Sequence, residues 1–307
     1  MECHFARGSS FFMQVVVMLV GCALGACSPW HAPAPPATTA VLDGPDGPGT
    51  VANLRHRYED LAMDCRGEPA VRCTGVLVEA AVDGKDPWQP YAGNGVPMSW
   101  FRKDAWIKQA YQGRGGVTYY APDDSPGLRK RPLYILCAYV FNAYTDFRKG
   151  RCEGYEDTAT YPVSGPCQRE GVFTAAQWRE HFARRPSSIG MSWQCGFDLG
   201  MSDGPRVFAL LPGLMRDSGV PEYTGSINEL VAESWPPNEP ATVPIESFYY
   251  DTRHGDSLAT AQRLQVAMND RGGIWRPVIA ITFGATEDDA TLFDYREADQ
   301  ARRPPDR

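Results

Sequence analysis

The stretch SWFRKDAW, residues 99–106, combines a cation with aromatic rings. Arg102 and Asp104 lie between Trp100 and Trp106. A guanidinium beside aromatic rings can form a wall that binds a planar ligand carrying phosphates. The same pattern fits an amphipathic segment whose rings enter the core while its charges face water. We take Trp100, Arg102 and Asp104 as candidate substrate-binding residues and keep both interpretations.

Two glutamates in the stretch SINELVAESWPP, residues 226–237, are candidate catalytic residues. The stretch has the pattern of a helix that ends at Pro236, and a helix would place Glu229 and Glu233 one turn apart on one face. A carboxylate can stabilise the positive charge that develops on a sugar carbon when a glycosidic bond breaks. Ser226 and Glu229 also match a capping box, which explains Glu229 without any function.

A third polar group follows the predicted strand SFYYD. Its members are Asp251, Arg253, His254 and Asp256, which precede a strongly periodic helix pattern. Loops at strand ends often carry functional residues. A solvated turn with a helix cap explains the same residues.

Familiar catalytic and metal-binding motifs are missing from the sequence. It contains no G-x-G-x-x-G, no P-loop and no H-E-x-x-H motif. It also lacks the C-x2-C and H-x3-H pairs that are typical of zinc sites. We therefore predict no metal and no cofactor.

The amino-terminal residues predict export. The apolar run at residues 11–20, interrupted by Gln14, is shorter than the roughly 20 residues that span a bilayer, so residues 1–26 fit a removable signal better than a transmembrane helix. Two phrases resemble a bacterial lipobox, one ending at Cys22 and one at Cys27. A start at Met13 would give a shorter signal that lacks Arg7.

Cysteine parity favours Cys27 as the lipid attachment site. If Cys27 carries the lipid, six cysteines remain in the mature chain, and all of them can pair in an oxidising compartment. If Cys22 carries it, the count is odd. Ser28 resembles an outer-membrane sorting signal. We expect an outer-membrane lipoprotein, or alternatively a secreted protein.

The six remaining cysteines predict three disulfides. Proximity in sequence pairs Cys65 with Cys73, Cys137 with Cys152, and Cys167 with Cys195. Six cysteines allow about fifteen connectivities, so these pairs rest on proximity alone.

The remaining chain divides into a tether, a body and a tail. Residues 27–50 are rich in Pro, Ala, Gly and Thr and predict an extended tether. Residues 51–296 suffice for one globular domain, and residues 297–307 form a polar, frayed tail. The net charge of −7 argues against a nucleic-acid partner.

The body predicts an α+β fold. Besides residues 226–237, helix patterns occur in ANLRHRYEDLAMDC, TAAQWREHFARR and GDSLATAQRLQVAMNDRGG. Strand patterns occur in CTGVLVEAAV, GVTYYA, PLYILCAYVF, RVFALL, SFYYD and PVIAITF. Most strands follow one another without a helix between them, which predicts a mixed or mainly antiparallel sheet with about four helices, stapled by disulfides.

Several phrases in chain order resemble a family of exported bacterial proteins known as halovibrin-like. They include RYEDLAMDC, SWFRKDAW, LYILCAYVFNAYTDFRKGRCEGY, INELVAESW and IESFYYDTRHGDSLATAQRLQ. The resemblance implies an enzyme that uses NAD as its substrate, either a glycohydrolase or an ADP-ribosyltransferase.

On that resemblance, Arg102 would bind the pyrophosphate, Trp100 the nicotinamide, and Glu229 would stabilise the ribosyl cation. The sequence departs from the better-known ADP-ribosyltransferase pattern, since it has no Glu-x-Glu and no Ser-Thr-Ser. The alternative is a non-catalytic envelope lipoprotein. It would be held in the membrane by its lipid and would bind a nucleotide, a glycan, or a host or envelope protein.

Overall fold

Nine strands form one sheet whose order differs from their order in the chain. They are β1 Val76–Ala80, β2 Val96–Phe101, β3 Gly116–Tyr119, β4 Leu133–Tyr139, β5 Phe197–Asp198, β6 Glu229–Ser234, β7 Ile245–Asp251, β8 Val278–Thr282 and β9 Leu292–Tyr295. The order across the sheet is β5-β4-β6-β2-β1-β3-β7-β8-β9. Strands β7 and β8 pair in parallel, and the other neighbouring strands pair antiparallel.

This computed structural model describes residues 45–59, 75–81, 96–104, 115–120, 133–140, 152, 166–183, 195–202, 207, 210–214, 228–234, 245–284 and 288–303. The chain separates into two units, Met1–Ala40 and Val41–Arg307, and all described residues belong to the second. The predicted signal peptide, the lipid site and the Cys65–Cys73 pair lie outside the described residues. Within the described part of the chain, no helix is long and apolar enough to span a membrane.

The helices confirm an α+β fold. They are α1 Gly47–Glu59, α2 Ala175–Ala183, α3 with helical residues at 207 and 210–214, and α4 Asp256–Gly272. Short 3-10 turns cover Cys167–Glu170 and Glu297–Asp299. The predicted mixed, mainly antiparallel sheet with about four helices is therefore confirmed. One predicted strand, RVFALL, is wrong, because residues 207, 210 and 211 are helical.

The helix predicted for residues 226–237 is also wrong, because this stretch forms strand β6. Leu230 and Ala232 are buried in the main core, while Val231 is buried in a separate cluster with Tyr139. Alternate residues thus enter the cores on opposite faces, and only a period of two residues achieves this. Tertiary burial therefore overrides the local capping box of Ser226 and Glu229.

Both faces of the sheet are covered along β3, β7 and β8. Helix α4 packs on one face, where Val117, Phe248 and Val278 lie in the main core. Helix α1 packs on the other, where Leu54 and Tyr249 are fully buried. Strand β8 has the apolar sequence that burial on both faces requires, whereas β7 also buries Glu246, Ser247 and Asp251.

The folded body extends beyond its predicted limits at both ends. Helix α1 begins at Gly47, so residues 47–50 of the predicted tether are helical. A Cβ atom at Gly47 would come within 2.1 Å of the Tyr295 ring, so only glycine fits there. In the predicted tail, the Gln300 side chain accepts from the Val278 N–H at 2.8 Å and donates to the Val278 carbonyl at 2.9 Å. Residues 297–303 are therefore docked on the body and not frayed.

Two of the three predicted disulfides are confirmed. Cys137 pairs with Cys152 and Cys167 pairs with Cys195, with Cα–Cα distances of 5.4 and 4.9 Å. Both bonds lie near strand β5, at one edge of the sheet.

Candidate functional site

Trp100 lies in the core and not on a ligand-facing wall. Its side chain is 1% exposed and belongs to the main core with Met98 and Leu230. The backbone N–H of Trp100 donates to Asn228 Oδ1 at 2.9 Å, and Asn228 Nδ2 donates to the backbone carbonyl of Trp100 at 2.7 Å. The Asn228 side chain thereby continues the β2–β6 ladder, and Trp100 fills the core behind it.

Arg102 and Asp104 form a closed ion pair. Arg102 Nε and Nη2 donate to the two carboxylate oxygens of Asp104 at 2.8 and 3.0 Å. Arg102 is buried, and a Cβ atom at Gly75 would come within 2.3 Å of its Cγ. The structure brings these two predicted residues together, but the Arg102 side chain is only 6% exposed, which leaves little of the guanidinium accessible to a phosphate.

Glu229 faces away from Trp100. Met98 pairs with Leu230 across β2 and β6, and both lie in the main core with Trp100. Because side chains alternate along a strand, Glu229 lies on the opposite face of the sheet, where it is buried. Trp100, Arg102 and Glu229 therefore do not line one cleft on one face of the sheet.

Glu229 and Glu233 are also too far apart to act as a pair. On an extended strand, residues four positions apart have Cα atoms separated by about 13 Å, against about 6 Å along a helix. The Glu233 backbone pairs with Tyr134 of β4, and its side chain lies outside the described part of the structure.

The turn between β7 and α4 is the most exposed polar cluster that the sequence predicted. Asp251 ends β7 and is fully buried. Its carboxylate accepts from the backbone N–H and the Nε of Arg253, at 3.0 and 3.2 Å, and from Nη2 at 3.3 Å. The carboxylate thus fixes the Arg253 side chain, which keeps 32% of its surface exposed.

Ser257 holds this turn against the first turn of α4. Its Oγ accepts from the Asp251 N–H at 3.0 Å and lies 2.6 Å from the His254 carbonyl. His254 and Asp256 are exposed. The turn therefore presents a guanidinium, an imidazole and a carboxylate to solvent beside a helix amino terminus, where the helix dipole favours an anion.

This turn lies at the carboxyl end of the parallel pair β7 and β8. Thr252 N–H donates to the Ile281 carbonyl at 3.1 Å, and the Thr252 and Thr282 hydroxyls are 2.6 Å apart. In α/β units, ligands commonly bind outside the carboxyl ends of parallel strands. The turn that contains Asp251, Arg253, His254 and Asp256 thus has the position that this rule predicts for a binding site.

A buried ion pair between α1 and β7 gave no local signal in the sequence. Arg57 Nη1 donates to Glu246 Oε1 at 3.2 Å, a second contact joins Nη2 to Oε2, and the two residues are 189 positions apart. Arg57 Nη2 also donates to the Tyr119 carbonyl at 3.4 Å. On β1, Glu79 accepts a hydrogen bond from the Tyr119 hydroxyl. These buried carboxylates were missed because only tertiary pairing reveals them.

Tyr120 lies next to the Arg57–Glu246 pair. Burial raises the pKa of Tyr120, while the positive charge of Arg276, whose Cζ lies 5.6 Å from the ring centroid, lowers it. The Tyr120 hydroxyl therefore stays neutral at physiological pH. Arg57, Tyr120, Glu246 and Arg276 are all buried, so this cluster belongs to the interior of the fold.

Among the described residues, no group of three or more His, Cys, Asp or Glu side chains could hold a metal ion. No protein-family model matches this chain, and no curated protein is significantly similar to it. The resemblance to halovibrin-like proteins therefore stays a prediction.

Proposed function

We propose that this protein is an exported lipoprotein that cleaves NAD between nicotinamide and ribose, and that the β7–α4 turn belongs to its substrate site. One observation carries the proposal. The phrase IESFYYDTRHGDSLATAQRLQ, residues 245–265, resembles halovibrin-like proteins. Its strand is buried at every position, and its helix packs one face on the core. The turn between them presents exposed groups suited to chemistry, Arg253, His254 and Asp256.

In this proposal, Arg253 binds the NAD pyrophosphate. Asp251 holds the guanidinium through Nε and Nη2, which orients its remaining N–H groups without further loss of side-chain freedom. The amino terminus of α4 adds partial positive charge beside it. This role moves from Arg102 because the Arg102 side chain is only 6% exposed, whereas the Arg253 side chain is 32% exposed.

The cleavage step requires a carboxylate beside the ribose and an acceptor for the ribosyl group. Water, or a side chain of a target protein, attacks the ribose carbon, the bond to nicotinamide breaks, and neutral nicotinamide leaves with the bonding electrons. Asp256 can stabilise the developing positive charge, and His254 can take the proton from the acceptor. Glu229 lies four strands away from β7, about 19 Å at the usual strand spacing, so it cannot serve this turn.

The assay is release of nicotinamide from NAD by the folded, oxidised protein. We expect Arg253→Ala to lower kcat/KM at least tenfold, about the effect of losing one charged hydrogen bond. Arg263→Ala is the matched control, because Arg263 is an exposed arginine on α4, the helix that follows the turn. Equal activity of the two variants would remove Arg253 from the site, and no release by the wild-type protein would contradict the enzyme.

A non-catalytic binder is the second candidate, and one observation favours it. The fold itself uses the residues first predicted to bind and cleave NAD, since Trp100 is buried and Arg102 is paired with Asp104. Such a protein would bind a nucleotide, a glycan or an envelope protein without turnover. Calorimetry that detects NAD binding, together with no nicotinamide release, would establish this alternative.

Export and lipid attachment are part of the proposal under either candidate. We propose Cys27 as the acylated first residue of the mature chain, with the outer membrane as its location. The disulfides Cys137–Cys152 and Cys167–Cys195 support an oxidising compartment. Intact mass of membrane-extracted protein tests this, because a mature chain that starts at Cys27 with acyl groups is expected. A chain that starts at Cys22, or one without lipid, would contradict it.

A further inference from the structure

A single glycine joins the two disulfides at the edge of the sheet. The Gly196 N–H donates to the Cys152 carbonyl at 2.9 Å, and the Cys167 N–H donates to the Gly196 carbonyl at 2.8 Å. Cys195 precedes Gly196 and bonds to Cys167, while Cys152 bonds to Cys137 on β4. Both disulfides therefore hold the same short segment that leads into β5.

Gly196 has no freedom to shift toward β4. A Cβ atom there would come within 2.4 Å of the Tyr139 ring, and Tyr139 is buried beside the Cys137–Cys152 bond. The two backbone hydrogen bonds of Gly196 therefore connect the Cys152 carbonyl to the Cys167 N–H through a residue that Tyr139 confines.

Cys152 has an uncommon backbone conformation. Its φ angle is 57°, the one positive φ among the described residues that are not glycine. Residues with a Cβ rarely adopt this left-handed region. If the Cys137–Cys152 bond opens, Cys152 can adopt a more common φ angle. Its carbonyl then moves away, and Gly196 loses the acceptor of its N–H hydrogen bond.

Besides Phe197, which is fully buried in the main core, strand β5 has few contacts among the described residues. It consists of two residues that pair with Cys137 and Ala138. On its outer side, Gln168 Nε2 donates to the Asp198 carbonyl at 2.9 Å, and the Asp198 N–H donates to Gln168 Oε1 at 3.1 Å. Gln168 follows Cys167 directly, so this support also depends on the second disulfide.

From these contacts we propose that the Cys137–Cys152 bond is a redox-sensitive latch on β5, acted on by a dithiol reductant. A thiolate of the dithiol attacks one sulfur and releases the other cysteine as a thiolate. The second thiol then displaces the remaining cysteine. The cysteine pair gains two electrons and two protons, and the dithiol becomes a disulfide.

The latch opens before the second bond. Cys137 and Cys152 are each 5% exposed, whereas Cys167 and Cys195 are fully buried. Opening releases β5, bares the outer edge of β4 and uncovers Val231 and Tyr139, which pack against the latch. In a reducing compartment this edge stays open, and oxidation closes it. The inference does not depend on NAD cleavage.

The first test uses the oxidised wild-type chain in graded dithiothreitol, with alkylation and mass spectrometry at each cysteine. We expect Cys137–Cys152 to be reduced first, with amide exchange at residues 195–198 rising at least tenfold as it opens, while exchange in α4 stays unchanged. Earlier reduction of Cys167–Cys195, or unchanged exchange at residues 195–198, would overturn the latch.

The second test measures the coupling between the bonds. In the variant Cys137→Ser/Cys152→Ser, we expect the equilibrium for reduction of Cys167–Cys195 to shift at least fivefold toward thiols. Cys167→Ser/Cys195→Ser must shift Cys137–Cys152 by the same factor, because coupling between two sites is reciprocal. Gln168→Ala is the control, since it weakens β5 without touching Gly196 and should leave the coupling factor unchanged. If the reduction equilibrium shifts by less than twofold in both double variants, the two disulfides are independent and the proposed coupling is overturned. The wild-type titration decides the question if a variant does not fold.

Discussion

The two ends of the nine-stranded sheet are held by different kinds of bonds. At the end formed by β7, β8 and β9, helices cover both faces and buried polar contacts fix the elements, among them the Arg57–Glu246 ion pair and the Gln300 side chain. At the other end, β5 has two residues, and two disulfides fix it to β4 and to the turn before α2. The first end therefore needs no covalent support among the described residues, and the second depends on it.

The difference follows from how much apolar surface each end buries. Strand β7 is buried at all of its positions, and α4 buries Ala261 and Leu264 against it. Packing of this kind stabilises a strand by about 25 cal/mol for each Å² of apolar surface removed from water. In strand β5 this burial is limited to one side chain, that of Phe197, and the nearby disulfides add stability by restricting the unfolded chain.

Removing one partner of the buried ion pair should give the largest change in stability at the non-covalent end. In Glu246→Ala, the Arg57 charge remains buried without its carboxylate, which costs about 3–5 kcal/mol. Urea unfolding, with amide exchange in α1 and β7, measures the loss. We expect exchange to rise there first, before it rises in β4.

The double replacement Arg57→Leu/Glu246→Leu is the control for that result. It removes both charges and keeps the volume apolar, so it should recover most of the lost stability. A loss below about 1 kcal/mol in Glu246→Ala would mean that the ion pair does not hold this end, and the contrast between the two ends would fail.

A smaller effect is expected at alkaline pH, where the docked tail should loosen. Burial and a hydrogen bond to Asp299 raise the pKa of Tyr250 from 10.0 to about 12. The folded state therefore holds this proton more tightly than the unfolded state. Its contribution to stability is complete below pH 10 and is lost as the pH rises through about 12. Amide exchange at Ala301, which donates to Gln265, reports the release of the tail.

Tyr250→Phe should remove this pH dependence, whereas Tyr295→Phe should keep it. Tyr295 is the matched control because its pKa is also raised to about 12. The larger cause is its hydrogen bond to Glu297, and the smaller cause is burial. If both variants lose the pH dependence equally, the hydrogen bond between Tyr250 and Asp299 does not hold the tail.

The sequence was sufficient wherever local periodicity and burial agree. Strand β7, helix α4 and strand β8 were recognised because each has the pattern that its position in the sheet requires. Strand β6 was not recognised, because Glu229 and Leu230 fit a helix pattern that two-sided burial overrides. The two disulfides followed from proximity along the chain.

The candidate site was less predictable, because a site depends on which faces meet in space. The turn around Asp251 and Arg253 was visible as a polar cluster between two clear elements. The burial of Trp100 and the closure of Arg102 on Asp104 were not visible, since an aromatic and charged stretch fits a pocket wall and a core strand equally well. Arg57 and Glu246 are related only through the finished fold.

The position of β1, β2 and β3 in the middle of the sheet has a consequence for biogenesis. These three strands are synthesised first, yet their outer neighbours come much later: Trp100 bonds to Asn228 and Thr118 to Ser247, pairs that are 128 and 129 residues apart. Until most of the polypeptide has been made, a nascent chain in which these three strands have paired therefore has two edge strands, β2 and β3, whose outer backbone groups lack their final partners. Such distant pairing slows folding. Under the proposed export, a chaperone that keeps the chain unfolded would need to shield what later becomes the centre of the sheet and not its rim.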